Sequence, residues 1–324
     1  MAADSFLEET TTDVNGVSVV IPNYNGSALL RENLPSVIDA FACWGGCHEI
    51  IIVDDCSSDD SVVVLAEQFP AVQVLVNQVN QGFSRTCNRG IAAARYPVVF
   101  CINTDVRVEG DLVSPVLRHF SDRSVFAVTP AIIAEREGKN QGIVDGLYGK
   151  GFIKGGFAPI GVTSPVRENL YAIGACVAYD TEKFRALGGY NEIFTPYLFE
   201  DVDISYRAWK RGWRSLYEPG ATVFHYNSAT IEQAGKRRKR TIYFRNRFLF
   251  HWLNLTDPGL LARNCLYTAF RLAVSFLWFD VPYYRAFWGA LKSFPQVIGQ
   301  RRDMKPFRIL GDREILQRTS GGVT

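Results

Sequence analysis

The chain has 324 residues, of which 47% are hydrophobic and 21% are charged, so it holds enough apolar material for a large folded core. That balance excludes a disordered chain, a collagen-like repeat and a coiled coil. A folding unit usually takes roughly 100 to 200 residues, and the length therefore predicts about two domains.

The small net charge of +2 conceals a division along the chain. Residues 1–231 hold 18 Lys and Arg against 27 Asp and Glu, whereas residues 232–324 hold 17 against 6, together with 16 of the 42 aromatic residues. Such a basic, aromatic segment suits either nucleic acid or an anionic membrane surface. Residues 1–16 are predicted to be a polar tail without a secretory signal, and the seven cysteines form no CxxC pair, so we expect a reduced, cytoplasmic location.

The first hundred residues alternate apolar runs with helical patterns. Apolar runs at 17–21, 49–53, 72–76 and 98–102 predict four strands, and helical spacing between them predicts three helices. This alternation predicts an α/β fold, with a mostly parallel central sheet that helices cover on both faces. Ligands of such sheets bind beyond the carboxyl ends of the strands.

The second half of the chain gives weaker patterns. Glycine and proline become frequent between residues 138 and 165, which predicts a long loop or lid. A body at 17–231 is predicted to be followed by a helical region at 232–324, which contains the basic run KRRKR at 236–240.

This helical region contains the apolar stretch Leu260–Leu291, in which charged residues and a proline interrupt every run long enough to span a bilayer. Its tryptophans and basic side chains favour helices that lie in the interface of an anionic membrane. The alternative is a helical cap that packs on the body or on a second copy of the chain, which leaves a homodimer open.

The sequence lacks both the GxGxxG and the GxxxxGK[ST] phosphate loops, so a bound diphosphate would depend on a metal ion. Asn103 and Asp105 end the apolar strand VVFCINTD on the same side, and Asp105 is the stronger ligand for a hard divalent cation. An Asx turn capping the strand is the structural alternative. His225 follows another apolar run and is either a further metal ligand or a buried core histidine.

Two other acidic clusters allow a functional and a structural interpretation. Asp54 and Asp55 end a strand, where a carboxylate can accept hydrogen bonds from a base or a ribose, or can simply face solvent before a helix. Glu200, Asp201 and Asp203 begin a predicted helix, where acids offset the helix dipole or provide a rigidly mounted general base.

Seven segments in order carry a resemblance to a known family. They are VSVVIPNYNG (17–26), IIIVDDCSSDDS (50–61), NQGFSRTCNRG (80–90), VVFCINTD (98–105), IGACVAYDTEKFRALGGYNEIF (173–194), YLFEDVDISYRAWKRGW (197–213) and VFHYNS (223–228). Together they resemble the inverting family 2 glycosyltransferases of the GT-A fold, most closely the rhamnosyltransferase-like bacterial branch. The resemblance covers roughly residues 17–230 and implies a Rossmann-like GT-A catalytic domain.

The resemblance also implies a role for each matching residue. The residues implied to lie around the nucleotide are Pro22, Asn23, Tyr24, Asp54, Asp55, Asn80, Gly82, Asn103 and Thr104, with Asp55 contacting the base. Asp105 and His225 are implied to hold a divalent metal, Mg²⁺ or Mn²⁺, and Asp201 is implied to be the general base, with Glu200 beside it. Gly174, Ala175 and Cys176 are implied to form the acceptor side of the cleft.

The expected activity is transfer of a sugar, with rhamnose suggested by the branch, from a dTDP- or UDP-linked donor to a glycan or lipid-linked acceptor in cell-envelope polysaccharide synthesis. The expected place is the inner face of the plasma membrane. Asn103 departs from the family's pattern, because it replaces the first acid of the metal motif. That departure motivates an alternative, a catalytically silent relative that binds nucleotide sugar or acts as a scaffold. A nucleic-acid partner is not expected, because no nucleic-acid-binding motif accompanies the basic run.

Overall fold

The computed structural model describes residues 14–162, 164–226 and 235–321. Residues 1–13 of the predicted tail and the predicted boundary between residues 231 and 232 lie outside these ranges.

Strands and helices alternate through the first hundred residues, and helices dominate after residue 235. The strands are β1 (Val17–Asn23), β2 (His48–Asp54), β3 (Gln73–Val76), β4 (Val98–Ile102), β5 (Val106–Glu109), β6 (Val125–Ala134), β7 (Lys139–Gly149), β8 (Phe152–Pro159), β9 (Arg167–Glu168), β10 (Cys176–Asp180) and β11 (Arg214–His225). The helices are α1 (Ser27–Trp44), α2 (Ser61–Gln68), α3 (Phe83–Ala93), α4 (Val113–Leu117), α5 (Thr181–Ala186), α6 (Glu200–Lys210), α7 (Lys236–Asn254), α8 (Pro258–Leu277), α9 (Val281–Lys292), α10 (Phe294–Met304) and α11 (Asp312–Thr319).

All described strands join one mixed sheet with the main order β3-β2-β1-β4-β10-β6-β11-β5. The strands β3, β2, β1 and β4 are parallel, as the alternating pattern predicts. Strands β6 and β11 run in the same direction as these four, because β10 is antiparallel to both β4 and β6 and because β11 is parallel to β6. The main order is therefore mostly parallel, as predicted, and its exceptions are β10 and β5. Strands β7 and β8 extend the sheet from β6 through short turns, which require antiparallel pairing, instead of helical crossovers.

The segment predicted as a loop or lid is the antiparallel hairpin of β7 and β8. Its glycines allow close packing: a Cβ on Gly142 would lie 2.1 Å from the carbonyl oxygen of Pro130, and one on Gly155 would lie 2.5 Å from the hydroxyl of Tyr171. The frequent glycines therefore reflect close contacts of the two strands with neighbouring segments of the protein. Composition alone does not distinguish such strands from a loop.

The C-terminal helices share a hydrophobic core with the body. One buried cluster joins Phe194, Tyr206 and Trp209 of the body to Phe248 and Phe250 of α7. Helix α7 thus packs on the body in the manner of a cap, whereas the end of α8 exposes several aromatic side chains. Among the described residues, no helix is long and apolar enough to cross a membrane.

Candidate active site

The carboxyl ends of β1 and β2 are joined by a buried polar network. Asn23 donates from Nδ2 to Asp54 Oδ2 at 2.8 Å, and the same carboxylate accepts hydrogen bonds from the backbone N–H and the hydroxyl of Ser57. Asp54 and Asp55 are 1% and 4% exposed, so the interpretation of these acids as solvent-facing is wrong. Asp54 instead braces the loops that follow the two strands.

The neighbouring carboxylate of Asp55 holds the loop after β3. Its Oδ1 accepts from Asn77 Nδ2 and from the N–H of Gln81, each at 2.8 Å, and its Oδ2 accepts from the N–H of Gly82 at 2.8 Å. Gly82 has φ +82°, which favours glycine, and the N–H of the next residue, Phe83, bonds to the carbonyl of Pro196. Asp55 therefore anchors a loop that touches the segment before α6.

The other residues implied to surround the nucleotide lie around this strand edge with different exposure. Tyr24 follows β1 and is exposed, and Pro22 is half-buried. A Cβ on Gly26 would lie 2.4 Å from Asn23 Oδ1 and 3.6 Å from Thr104 Oγ1, so the side chains of Asn23 and Thr104 both lie beside this glycine. Asn80 is exposed, and no side-chain hydrogen bond connects it to the other described site residues.

Asp105 and His225 face each other across the antiparallel pair β5 and β11. His225 pairs in register with Val106, and its Nε2 lies 3.4 Å from Asp105 Oδ2. The other ring nitrogen, Nδ1, lies 2.9 Å from Gln141 Oε1. Because an amide oxygen only accepts, Nδ1 donates to Gln141, and this contact orients the ring with Nε2 towards Asp105.

This pair fits a divalent cation. His225 Nε2 is buried without a hydrogen-bond partner among the described residues, and so is Oδ1 of Asn103, two positions before Asp105. A carboxylate and a neutral imidazole are suitable ligands, and an oriented second-shell partner such as Gln141 is usual for a metal-bound histidine. In the described ranges no group of three or more His, Cys, Asp or Glu side chains is placed to hold a metal, so phosphate oxygens and water would complete the coordination.

Asp201 lies at the same edge of the sheet. Its Oδ2 accepts from the backbone N–H of Gly174 at 3.1 Å, and the carbonyl of the next residue, Ala175, accepts from the N–H of Asn103 at 2.9 Å. Two hydrogen bonds, made by the neighbouring backbone groups of Gly174 and Ala175, thus connect the predicted base to the predicted metal motif. Cys176 begins β10 opposite Ile102, and its side chain is fully buried in the core of the sheet.

Burial changes the acid strength of the two neighbouring carboxyls at the start of α6. Burial, with the negative charge of Asp201 added, raises the pKa of Glu200 to about 8. Burial also raises the pKa of Asp201, although the N–H groups of Gly174 and Val202 oppose the shift. At neutral pH Glu200 is therefore protonated, and Asp201 is a stronger base than a carboxylate in water.

A side chain from α7, which the sequence analysis did not identify, holds the loop before these acids. Leu198 and Phe199 have φ +75° and +79°, a strained conformation for residues with a Cβ. The fully buried Asn246 donates from Nδ2 to the carbonyls of Phe194, Tyr197 and Leu198 at 2.8, 2.9 and 2.8 Å. Nothing in the basic, aromatic sequence around Asn246 indicates that contact, because its partners are backbone atoms about 50 residues away.

The contacts connect the predicted residues into one arrangement. Asp55 holds Gly82, whose loop touches Pro196 before α6, and Asp201 at the start of α6 leads through Gly174 and Ala175 back to Asn103. The metal pair stands beside Asn103. Residues that are far apart in the sequence thus surround one edge of the sheet, where parallel α/β proteins bind ligands.

Solved structures identify the class of this fold. GalNAc-T7 with UDP, GalNAc and Mn²⁺ superposes with a TM-score of 0.61 at 19% identity, over 76% of this chain and 49% of that one. The mannosyltransferase PcManGT of Pyrobaculum calidifontis, in complex with GDP-Man and Mn²⁺, superposes with a TM-score of 0.53 at 14% identity, over 86% of each chain. The fold is that of the GT-A glycosyltransferases.

Sequence comparison identifies the family. The model of glycosyl transferase family 2 matches residues 18–188, more than half of the chain, and the chain belongs to that family. The pre-mycofactocin glycosyltransferase of Mycobacterium tuberculosis is 30% identical over 215 residues, which make up 64% of this chain and 42% of that protein. The chain spans 28% to 42% of the length of the first curated relatives it matches. The chain therefore carries a family 2 glycosyltransferase domain.

Proposed function

We propose that the protein transfers a sugar from a nucleoside-diphosphate donor to an acceptor hydroxyl with inversion at the anomeric carbon. The observation that carries this proposal is the position of Asp201. Its carboxylate is held on the N–H of Gly174, at the sheet edge that also carries Asp105 and His225. A base and a metal pair at one edge are what a single displacement at a sugar diphosphate requires.

The reaction follows from the roles of these groups. Asp201 accepts the proton of the acceptor hydroxyl as its oxygen forms a bond to the anomeric carbon. The bond from that carbon to the diphosphate breaks on the opposite face, and the electron pair leaves with the diphosphate. Asp105 and His225 would hold a divalent cation, which supplies positive charge that stabilises the leaving group. One displacement inverts the anomeric centre, so a second carboxylate at the sugar is unnecessary.

Several finer features belong to the same proposal. GalNAc-T7 and PcManGT were solved with Mn²⁺ and with UDP or a GDP-sugar, which supports a nucleotide-sugar donor and a divalent metal here. A dTDP-rhamnose donor rests on resemblance to the rhamnosyltransferase-like branch, with a UDP-sugar as the alternative. The proposed acceptor is a glycan or lipid-linked glycan of the bacterial envelope.

We also propose that the enzyme works at the inner face of the plasma membrane. The support is a hydrophobic turn (residues 276–281) between α8 and α9, in which Phe276, Trp278 and Phe279 are about 70% to 80% exposed. The basic side chains of Arg285 and Lys292 are exposed on the next helix and form no ion pair with another described residue, which suits an anionic lipid surface. Sedimentation with anionic vesicles tests this part of the proposal.

The test of the activity combines a donor screen with one substitution. Purified protein is incubated with Mn²⁺, an envelope glycan extract and, in turn, dTDP-rhamnose, UDP-sugars and GDP-mannose, and release of nucleoside diphosphate is measured. We expect one donor class to turn over, and Asp201→Asn to reduce the turnover by a factor of about 10² to 10⁴ while donor binding is retained. Turnover of UDP-sugars alone would reject the rhamnose donor, and full activity of the Asn variant would reject Asp201 as the base.

A further inference from the structure

Arg247 on α7 is a half-buried cation without a carboxylate partner among the described residues. Its guanidinium carbon lies 3.9 Å from the ring centre of Phe152 and 4.8 Å from that of Phe244. Its Nε is buried and has no hydrogen-bond partner in the described ranges. Burial lowers the pKa of this guanidinium, which reflects the cost of removing its charge from water.

Some buried cations of the same region have acids beside them, since Lys210 lies 2.6 Å from Asp312 and Arg207 lies 2.6 Å from Asp203. Arg245, two residues before Arg247, has no acid partner among the described residues, but it donates to the carbonyl of Thr195 and to Asn246 Oδ1. Within the described residues, Arg247 has no carboxylate partner and its Nε has no hydrogen-bond partner.

Tyr243, one helical turn before Arg247, lies between this cation and the loop that precedes the proposed catalytic residues. The guanidinium lies 5.6 Å from the Tyr243 ring centre, and that ring lies 5.6 Å from the ring of Phe199, the residue before Glu200. Burial, with the nearby Asp201 and Tyr243 contributing, raises the pKa of Tyr171. Asp201 and Tyr243 thus both lie near enough to Tyr171 to act on its charge.

The chemistry of this place indicates the kind of ligand that it binds. The guanidinium offers only hydrogen-bond donors, in a fork that matches two oxygens of a phosphate, and the hydroxyl of Tyr243 adds a further donor. Arg247 is half-buried and Tyr243 is exposed, so a ligand can reach them from solvent. An anion bound there would offset the cost of the buried positive charge.

We propose that Arg247 and Tyr243 form a binding subsite for a phosphate group carried by the acceptor. This inference rests on the proposed glycosyl transfer and names the class of acceptor, one that bears a phosphate near the hydroxyl that Asp201 deprotonates. The phosphate comes either from a lipid phosphate or from a soluble phosphate, and the same recognition serves both.

The experiment measures binding of three probes to the full chain while Mn²⁺ and a saturating concentration of the nucleoside diphosphate found in the donor screen occupy the donor site. The probes are farnesyl diphosphate, farnesol and inorganic pyrophosphate, and the proteins are wild type, Arg247→Gln, Arg247→Lys and the control Arg123→Gln. Arg123 is exposed before β6 and forms no ion pair among the described residues, so the control removes an equal charge away from the proposed sites. We expect farnesyl diphosphate to bind Arg247→Gln at least tenfold more weakly than wild type, and to bind the control as it binds wild type.

Comparison of the probes identifies the source of the phosphate. Pyrophosphate that binds as tightly as farnesyl diphosphate, with the same dependence on Arg247, supports a soluble phosphate. Pyrophosphate that binds much more weakly supports a lipid-borne one. Equal affinity of farnesyl diphosphate for wild type and Arg247→Gln overturns the subsite, as does farnesol binding as tightly as farnesyl diphosphate.

Two controls separate this inference from the proposed function and from misfolding. Slow hydrolysis of the donor in the absence of acceptor needs no acceptor phosphate, so we expect Arg247→Gln to retain its rate and its donor KM. Should the Gln variant fail to fold in a thermal melt, Arg247→Lys provides the test. Lys keeps the charge but lacks the fork, so we expect an intermediate affinity, and an unchanged affinity would overturn bidentate recognition.

Discussion

Glu200 and Asp201 are adjacent acids that the fold places in different surroundings. Asp201 accepts hydrogen bonds from two backbone N–H groups, whereas Oε2 of Glu200 is buried without a partner among the described residues. Burial and the charge of Asp201 raise the pKa of Glu200 to about 8, whereas in Asp201 the N–H groups of Gly174 and Val202 oppose the rise in pKa that burial causes. The sequence shows two acids in the first turn of a helix, but it does not show which of them has the strongly raised pKa and which accepts the backbone hydrogen bonds.

The ionisation of Glu200 predicts a dependence of stability on pH. Its pKa is about 8 in the folded protein against an ordinary 4.5, so its stabilising contribution is complete below about 4.5 and is lost as the pH rises through 8. Within that window each pH unit costs about 1.4 kcal/mol. Glu200→Gln cannot ionise, so we expect its Tm relative to wild type to rise by several degrees between pH 5 and pH 8.5.

Thermal melts of wild type and Glu200→Gln across that pH range check this prediction. Glu182→Gln is the matched control, because Glu182 is exposed at the start of α5. A constant Tm difference between wild type and Glu200→Gln from pH 5 to pH 8.5 would contradict the protonated state of Glu200.

The pair of Asp105 and His225 shows how far the neighbours of single residues were predictable. Each follows an apolar strand, and strand ends were the expected place of ligands, so the sequence predicted that the two lie together, as they do, and their role as metal ligands stays a proposal. Gln141, which orients His225, was not identified, because it lies in the segment predicted as a loop. The glycines of β7 make its composition similar to that of a loop, so the sequence does not indicate a regular strand there. The polar side chains of that strand were therefore not considered as part of the site.

At the scale of elements, α7 contributes both to the core and to the edge of the sheet at which the proposed catalytic residues lie. Its Asn246 holds three carbonyls of the loop that carries the strained residues Leu198 and Phe199. A non-glycine residue in the left-handed region costs about 1 to 3 kcal/mol and persists only where surrounding contacts enforce it. The three hydrogen bonds provide that enforcement immediately before Asp201.

We therefore expect Asn246→Ala to impair catalysis more than donor binding. The loss leaves three buried carbonyls without their donor, and relaxation of the loop displaces Asp201, where a shift of about 1 Å can cost on the order of 100-fold in rate. The measurement is kcat and donor KM under saturating metal, and we expect a fall in kcat of tenfold or more with KM little changed.

Asn254→Ala is the matched control for this prediction. Asn254 is also buried on α7, but it donates to Asp203 Oδ1 and to the carbonyl of Phe250, away from the loop. Both variants lose a buried amide and should lower the Tm by similar amounts. An equal fall in kcat for the two variants would mean that Asn246 acts through general stability alone.

The elements themselves were predictable where local pattern decides them. The strands β1 to β4 were identified because unbroken apolar runs between helices are typical of a parallel sheet. The antiparallel insertion of β10 was not, because it depends on pairing between residues about 75 positions apart, such as Cys176 with Ile102. Pairing over that distance leaves no periodic mark in either segment.

At the scale of the whole molecule, the C-terminal region is tied to the body by buried polar contacts as well as by the shared core. Asp312 on α11 lies 2.6 Å from Lys210 at the end of α6, and it also accepts from the Tyr206 hydroxyl at 2.7 Å. Its carboxylate further accepts from the backbone N–H groups of Thr256 and Asp257. The change of composition after residue 231 marks a change of surface chemistry, and it does not mark a separation of cores.

The hydrophobic turn is joined to α7 by the ion pair of Asp280 with Arg240. Phe276, Trp278 and Phe279 lie in the same chain segment as the apolar side chains Leu277 and Val281, and all of them are exposed. Contiguous exposed aromatic surface of this kind indicates an interaction site, and the surrounding basic charge favours anionic lipid. A membrane bound there would lie next to the α7 edge on which Arg247 and Tyr243 are carried.

Replacing Phe276, Trp278 and Phe279 together by serine should therefore weaken membrane binding. Burying one large apolar side chain is worth about 1.5 to 3 kcal/mol, so we expect the triple variant to bind vesicles of phosphatidylglycerol and phosphatidylcholine at least 100-fold more weakly than wild type. Sedimentation over a range of lipid concentrations measures this. Added salt should weaken wild-type binding as well, because the basic residues contribute through screened charges.

The matched control replaces exposed apolar residues elsewhere, Val79 and Ile309, which are 63% and 73% exposed on other parts of the surface. We expect Val79→Ser with Ile309→Ser to bind vesicles as wild type does. If the hydrophobic turn is instead an interface between two copies, wild type will elute as a dimer in the absence of lipid, and the triple variant will elute as a monomer without any change in vesicle binding. That result would contradict the membrane proposal, because the aromatic side chains would then be buried against protein.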